Sequence, residues 1–465
     1  MFNKSININF TMIINNEKIQ NALNYKPTHS ELEEILSKSK RLERLSMQEV
    51  SVLLNTYDDG GVKSILQTAN WVKNEIYGNR LVIFAPLYIS NLCNNDCTYC
   101  AFRCTNTNIE RKALSQEEIL KETEVLLKTG QKRVLLVAGE SYPKEGIDYV
   151  LKAIDTVYAA RDGKNNIRRL NVNLAPLEVE DFKKLKKHDI GTYQLFQETY
   201  HKETYAKLHL KGPKSNYDYR LTAIDRAFEA GLDDVGIGVL FGLYDHKYEV
   251  LALISHIEYL EEKFGMGPHT ISVPRLEPAT GSEIASTPPY PVSDEDFKKM
   301  IAILRLAVPY TGLILSTRET AEIRSEAFDL GISQISAGSK TNPGGYNDVD
   351  SMEQFSLGDH RSLDDVIYDV CLHGYIPSFC TSCYRSGRTG LDFMEYAKPG
   401  DIKKKCSPNA LITFQEYLED YASPKTKAIG EKTIAKGLAD LPEKMKEFTI
   451  KSIQKIKSGE RDIFC

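Results

Sequence analysis

Two hydrophobic periods alternate along most of this chain. Short β-branched or apolar runs have the length and composition of buried strands: LVIFAPLYIS (81–90), RVLLVAG (133–139), LNVNLA (170–175), YQLFQET (193–199), DVGIGVLFG (234–242), HTISVPRL (269–276), LILST (313–317) and ISQISAGS (332–339). Between them lie stretches whose apolar residues recur at helical spacing: SQEEILKETEVLLKTG, IDYVLKAIDTVYAARDG, EVEDFKKLKKHD, YRLTAIDRAFEAG, YEVLALISHIEYLEEKFG, DEDFKKMIAILRLAV and ETAEIRSEAFDLG. The first of these opens on a capping box, Ser115 with Glu118, and closes on Gly130. Eight strands with seven intervening helices over roughly 260 residues predict an α/β fold, a (β/α)8 barrel, whose usual size is about 250 residues. A doubly wound sheet is the alternative, but eight regular units favour closure. Residues 1–80 read as an N-terminal helical extension, with HSELEEILSKSKRLERLS and VKSILQTANWVKNEIYG as helices. The barrel takes residues 81–345. From 346 to 465 strand signals fade, and segments such as RSLDDVIYDVCLHG and NALITFQEYLEDYA predict a mainly helical C-terminal domain packed on the barrel.

Composition adds exclusions. The chain has 465 residues, 42% of them hydrophobic, and a net charge of −5 with acids and bases interspersed. No basic stripe interleaved with aromatics suggests nucleic acid. The N-terminal stretch lacks the basic start, apolar run and small-residue cleavage site of a signal peptide, and no segment has the eighteen or more apolar residues of a membrane helix. A cytoplasmic location follows as the expectation. In that reducing setting nine cysteines, four of them within NLCNNDCTYCAFRC (91–104), read as metal-binding or catalytic rather than as disulfides.

Cys93, Cys97 and Cys100 follow the first strand directly, at the mouth where barrel active sites are built. Three thiolates on a short loop can hold three corners of a 4Fe-4S cube and leave the fourth iron open. A zinc knuckle or a set of buried thiols fits the x3/x2 spacing poorly. The run CNNDCTYC resembles the CxxxCxΦC motif of the radical S-adenosylmethionine superfamily, with Tyr99 as its aromatic. Cys104 stands outside the triad and reads as a small residue lining the loop.

Other strand ends carry polar groups. Strand two finishes in Ala138-Gly139-Glu140, resembling the GGE-type motif that binds the amino group of S-adenosylmethionine. An acidic residue there offers an anion to an ammonium, and glycine permits close backbone approach. Asn173, then Gln197, Glu198 and Tyr200, then Arg275 and Glu277, then Arg318 and Glu319 end later strands. Charge gathered at one barrel face fits a polar pocket, because buried ions must be paired or bind ligand. Any one of them is as readily a salt-bridge partner. AGSKTNPGGY after strand eight lacks the full phosphate-loop pattern and reads as a tight turn near the mouth.

A second group, Cys380-x2-Cys383-x22-Cys406, again offers three thiolates, with no histidine in the span to complete a zinc site. This spacing resembles the HydG group of FeFe-hydrogenase maturases, and FQETYH, GIGVLFGLYD, ISVPRLEPATG and LSTRE resemble tyrosine-cleaving members of the superfamily. Cys371 and Cys465 fall outside the pattern and read as non-ligands, Cys371 on a buried helix face. The resemblance implies that Cys93, Cys97 and Cys100 hold a cluster that cleaves S-adenosylmethionine to methionine and a 5′-deoxyadenosyl radical. It further implies that L-tyrosine is split at Cα–Cβ into p-cresol and dehydroglycine, and that the latter yields carbon monoxide and cyanide, captured on iron at an auxiliary 4Fe-4S cluster. On this reading Arg318, with Arg275 second, clamps the tyrosine carboxylate through a guanidinium fork. Glu140 and Asn173 hold S-adenosylmethionine, and Gln197, Glu198 and Tyr200 line the shared pocket. His201 and Tyr200 are candidates for handling the phenolic proton. A ferredoxin or flavodoxin supplies electrons, and other hydrogenase maturation proteins are partners.

His269 opens strand six and therefore belongs at the bottom of the barrel. The resemblance implies that a histidine there ligates an extra iron on the auxiliary cluster; His269 is the candidate, ahead of His256 in a helix interior. Two sites at opposite ends of the barrel predict an internal tunnel. A thiamine-pathway 2-iminoacetate synthase is the second reading and requires no cluster at the C-terminal cysteines. A non-catalytic iron-sulfur carrier is the third.

Overall fold

The computed structural model describes residues 13–347 and 353–464. All eight predicted runs form strands: β1 (Arg80–Ser90), β2 (Arg133–Ala138), β3 (Arg169–Asn173), β4 (Tyr193–Glu198), β5 (Val235–Val239), β6 (Thr270–Ser272), β7 (Gly312–Leu315) and β8 (Ile332–Ser336). Every neighbouring pair is parallel, and β1 bonds both β2 and β8, which closes the sheet into a barrel. The intervening helices stand where helical spacing placed them. The helix Gln116–Thr129 starts on the Ser115/Glu118 capping box and ends at Gly130, whose φ of 97° is left-handed. Such a cap stabilises a helix by about 1 kcal/mol.

Strand parity decides what meets the barrel interior. Along β1, Ile83, Ala85, Leu87 and Ile89 are fully buried in the apolar core, while Val82, Phe84, Pro86 and Tyr88 line cavities inside the barrel. A strand apolar on both faces is what a helix-jacketed parallel sheet requires.

Among the described residues four helices precede β1, ending with Asp59–Tyr77, and Thr28/Glu31 and Ser46/Glu49 form two further capping boxes. The C-terminal region is mainly helical, as expected, with one addition. It contains a ninth strand, β9 (Ile376–Ser378), parallel to the start of β1 with Arg80 opposite Ile376. Three residues are too few for a periodicity signal. Val82 pairs with Gln334 of β8 on one edge and with Ser378 of β9 on the other, so β9 fills the edge below the point where β2 begins at Ala85. Among the described residues no helix is long and apolar enough to cross a membrane.

Candidate active site and second metal centre

The loop after β1 carries Cys93, Cys97 and Cys100 as free thiols at one cavity of about 210 Å³ in the barrel mouth. Its backbone is held from two sides. The Arg111 guanidinium donates to the carbonyls of Asn91 (3.0 Å), Phe102 (2.7 Å) and Asn106 (3.1 Å). On the outer side residues 208–211 run antiparallel to 96–98, with Thr98 N–H to Leu208 O at 3.0 Å and Leu210 N–H to Asp96 O at 3.0 Å. Cys104 bonds its own backbone N–H to Asn95 O and does not line the cavity.

Tyr99, in the aromatic place, is buried and its hydroxyl lies 2.9 Å from His209 Nε2. His209 Nδ1 donates to Tyr205 O at 2.8 Å, so Nε2 is the acceptor and Tyr99 the donor. Burial pushes the His209 pKa down to about 3, so the ring is neutral.

Opposite the cysteines stand two carboxylates and two cations. Arg220 donates to Glu140 Oε1 at 2.8 Å, Asn95 Nδ2 to Glu140 Oε2 at 3.0 Å, and Lys214 Nζ to Glu198 Oε1 at 2.7 Å. Lys214 also lies 3.6 Å from Glu140. Although burial opposes ionisation, Arg220 and then Lys214 hold the Glu140 pKa at about 2. Glu198 sits at a break in the β4–β5 register with φ of 71°, and it lines the cavity. Gly139 admits a neighbour that no other residue would: a Cβ there would lie 2.2 Å from the Leu92 carbonyl of the cysteine loop. Asn173 completes this wall.

Arg318 lines the same cavity, its guanidinium 3.2 Å from the centroid of Phe355, and it makes no ion pair among the described residues. Glu277 is nearby, its pKa raised to about 7 by burial and then by Glu319. The turn after β8 brings Ser339, Thr341, Gln354 and Phe355 to the mouth. Gln354 accepts from Tyr88 OH at 2.8 Å and donates to Cys100 Sγ at 3.6 Å.

Four expected pocket residues stand elsewhere. Parity points Gln194, Phe196 and Glu198 into the barrel, and Gln197 is not on the cavity wall. Arg275 is already saturated, held by Glu319 and by Asp294 at 2.7 Å. Tyr200 packs outside the strands, its hydroxyl 2.9 Å from Nδ1 of His256. That contact also occupies His256. His201 caps the helix Lys202–Leu208 and stacks on Tyr244 at 3.9 Å. The inward residues the reading missed come from the connection after β4: Lys214 from the short turn Pro213–Ser215, where no period marks which side faces the cavity, and Arg220 from the helix Tyr217–Leu221, at the start of a stretch read as helical but not as part of the site.

At the other end of the barrel Cys380, Cys383, Cys406 and His269 line one smaller cavity of about 50 Å³. β9 delivers Cys380, and the helices Ser382–Arg385 and Ile402–Asp420 deliver the others. Cys383 has its pKa lowered by a hydrogen bond from the Cys406 thiol and then by Arg388. Arg80 and Arg133, which open β1 and β2, line the cavity too, and Arg133 donates to Cys380 O at 3.1 Å. His269 Nδ1 lies 3.3 Å from Asp234 Oδ2, and its ring lies 4.2 Å from that of Phe393. The two are at ion-pair distance without a hydrogen bond, so Asp234 places a buried negative charge beside the ring. Cys371 is buried on the helix Leu363–Leu372, and Cys465 lies outside the described residues.

Both donor sets have the thiolate chemistry that iron-sulfur clusters take. Among the described residues no three His, Cys, Asp or Glu side chains converge on a single ion. Thiolates that each take a different corner of a cube surround a volume instead. Thiolates also suit iron-sulfur chemistry better than the hard cations that oxygen sites select. The expected tunnel is not one continuous cavity. The upper cavity ends at Phe84, Gln194 and Ser336, and the lower begins at Val82 and Gln334. Two residues along a strand separate them, about 7 Å.

Comparison with known proteins agrees with this geometry. A model of the radical SAM superfamily matches residues 87–255, and one of the biotin and thiamin synthesis associated domain matches 272–376. The chain is 35% identical to a 2-iminoacetate synthase of Salmonella typhimurium (strain LT2) over 336 residues, 72% of this chain and 86% of that protein. Among solved structures, a HydG described as a maturase of the [FeFe]-hydrogenase is 51% identical, covering 97% of this chain and 100% of its own, with a TM-score of 0.95. The FeFe-hydrogenase maturase HydG from Carboxydothermus hydrogenoformans is 41% identical over 94% and 97%, with a TM-score of 0.83. All three C-terminal cysteines lie beyond the end of both family models.

Proposed function

Because this chain belongs to the radical S-adenosylmethionine superfamily, as a lyase with HydG maturases among its relatives, we propose that it cleaves L-tyrosine to p-cresol and dehydroglycine. We further propose that it converts dehydroglycine to carbon monoxide and cyanide bound to iron for FeFe-hydrogenase assembly. The observation that carries the reading is the second cavity, where three cysteines and one histidine meet under the barrel. The C-terminal segment that builds it lies beyond the family models but within the near full-length match to HydG structures.

Cys93, Cys97 and Cys100 would hold a 4Fe-4S cube, and with S-adenosylmethionine bound this pair supplies the radical that starts the reaction. The chain's residues provide position and charge. Glu140, kept ionised by Arg220 and Lys214, offers a fixed anion to the S-adenosylmethionine ammonium. Arg318, without an ion-pair partner among the described residues, offers its fork to the tyrosine carboxylate and is stacked in place by Phe355. Arg275 is no longer a candidate, since Glu319 and Asp294 occupy it. Cys380, Cys383 and Cys406 would hold the auxiliary cube, with Arg80 and Arg133 balancing thiolate charge and His269 ligating an extra iron. Passage between the sites requires Gln194 and Gln334 to swing aside, a rotamer change rather than a backbone one. Reduced ferredoxin or flavodoxin and other maturation proteins complete the scheme.

An anaerobic assay with reconstituted protein, dithionite, S-adenosylmethionine and L-tyrosine tests the reading by following p-cresol, cyanide and carbon monoxide together. Wild type is expected to make all three, and the Cys380→Ala/Cys383→Ala variant p-cresol with little carbon monoxide. Production of p-cresol alone by wild type would make the 2-iminoacetate synthase reading correct.

A further inference from the structure

The cluster loop must receive electrons from outside, and the fold leaves it thinly covered in one direction. Residues 208–211 are hydrogen-bonded directly to residues 96–98, with Cys97 paired to His209, so they lie one strand spacing, about 4.8 Å, from the loop backbone. Leu208 and His209 face inward and are buried, and His209 touches Tyr99. Leu210 turns outward and is 61% exposed. Exposed Lys207 and Lys211 flank it.

This edge is basic in a chain whose net charge is −5. Between residues 202 and 214 four lysines stand against one acid, Glu203. Lys202 is neutralised by Asp218 and Lys214 points inward to Glu198, but Lys207 and Lys211 make no ion pair among the described residues. Asp96 beside them is engaged by the Thr105 hydroxyl at 2.6 Å. An exposed leucine between two unpaired lysines has the form of a small transient interface, with an apolar centre and a charged rim that steers an oppositely charged partner.

We propose that Lys207, Leu210 and Lys211 form the docking surface for an acidic one-electron carrier protein. The carrier loses one electron and the cluster held on the adjoining loop gains it; no covalent bond forms or breaks. Tunnelling weakens steeply with distance, which favours entry on this side of the loop, where Asn94 is itself exposed and residues 208–211 lie one strand spacing away. The inference rests on superfamily membership alone and does not require tyrosine as substrate.

The test measures the affinity of flavodoxin, the acidic probe, for the protein by titration calorimetry, expected to weaken roughly tenfold in the charge-reversal variant, and beside it methionine release from S-adenosylmethionine driven either by reduced flavodoxin or by dithionite, a small reductant that needs no docking surface. Lys207→Glu/Lys211→Glu is expected to lower the flavodoxin-driven rate roughly tenfold at low salt and to leave the dithionite-driven rate within about twofold. Leu210→Ser should lower the first rate without changing its salt dependence. In wild type the flavodoxin-driven rate should fall as ionic strength rises and the dithionite-driven rate should not. Equal rates for wild type and the charge-reversal variant with flavodoxin would overturn the proposal. An equal loss with both reductants would also overturn it, because the lysines would then support the loop rather than receive a partner. Neither result would bear on p-cresol formation, which tests the tyrosine reading separately.

Discussion

Lys214 Nζ lies 2.7 Å from Glu198 Oε1 on a wall that also holds Glu140 and Arg220, so two buried carboxylates face two buried cations. Removing one cation strands a carboxylate. Lys214→Met is expected to destabilise the protein by about 3–5 kcal/mol, as for other broken buried pairs. Lys214→Arg should recover part of the loss. Urea unfolding of both variants against wild type measures the difference.

The same wall sets an acid limit. Glu140 titrates near 2 in the folded protein against an ordinary 4.5. A depressed carboxyl pKa stabilises the fold above the unfolded value, and that contribution is lost as pH falls through the folded value. The expected loss, on the order of 3 kcal/mol, therefore falls between about pH 4.5 and pH 2. Glu140→Gln should flatten this part of the stability profile, measured by denaturant unfolding at pH 7, 4 and 3.

Two arginines at neighbouring strand ends should separate by phenotype. Arg318 has no ion-pair partner among the described residues, whereas Arg275 holds Glu319 and Asp294. Arg318→Lys loses the fork and should raise KM for tyrosine roughly tenfold with little change in thermal stability. Arg275→Lys should lower Tm by several degrees and leave KM nearly unchanged. Steady-state p-cresol kinetics with a thermal melt of each variant distinguishes them.

His269 and Asp234 should act in series. His269→Ala is expected to keep p-cresol formation and to lose most carbon monoxide. Asp234→Asn keeps the imidazole but removes the negative charge beside it, so iron retained beyond the two cubes should fall by about tenfold or more in affinity. Iron analysis after mild chelation, alongside carbon monoxide trapping, checks both.

Elements with a strong period were readable from the chain: eight strands, their helices and the Ser115/Glu118 capping box that starts one of them. Side chains at regular strand ends followed. Glu140, Asn173, Glu198 and Arg318 all reach the upper cavity. Gln197 did not, because a sequence run does not show which parity faces inward. Tyr200 lies just past the strand, where alternation has ended. Lys214 and Gln354 were invisible because they lie outside the long periodic elements, and Arg220 because its helix gave no sign of facing the mouth; all three come near the cysteine loop only in three dimensions. The lower site was read as a spacing of cysteines; its link to the barrel through β9 was too short to leave a pattern.

That link has a mechanical consequence. β1 runs from Arg80, beside the C-terminal cysteines, to Ser90, just before the first triad, and β9 grips its lower end. One strand of eleven residues, its register against β2 shifting only between Tyr88 and Ser90, therefore acts as a ruler of roughly 33 Å with a cysteine site at each end. The peripheral loops can lengthen or shorten without changing this span. A single residue inserted in β1, however, would alter the separation and rotate every later side chain to the opposite face, disturbing both sites at once.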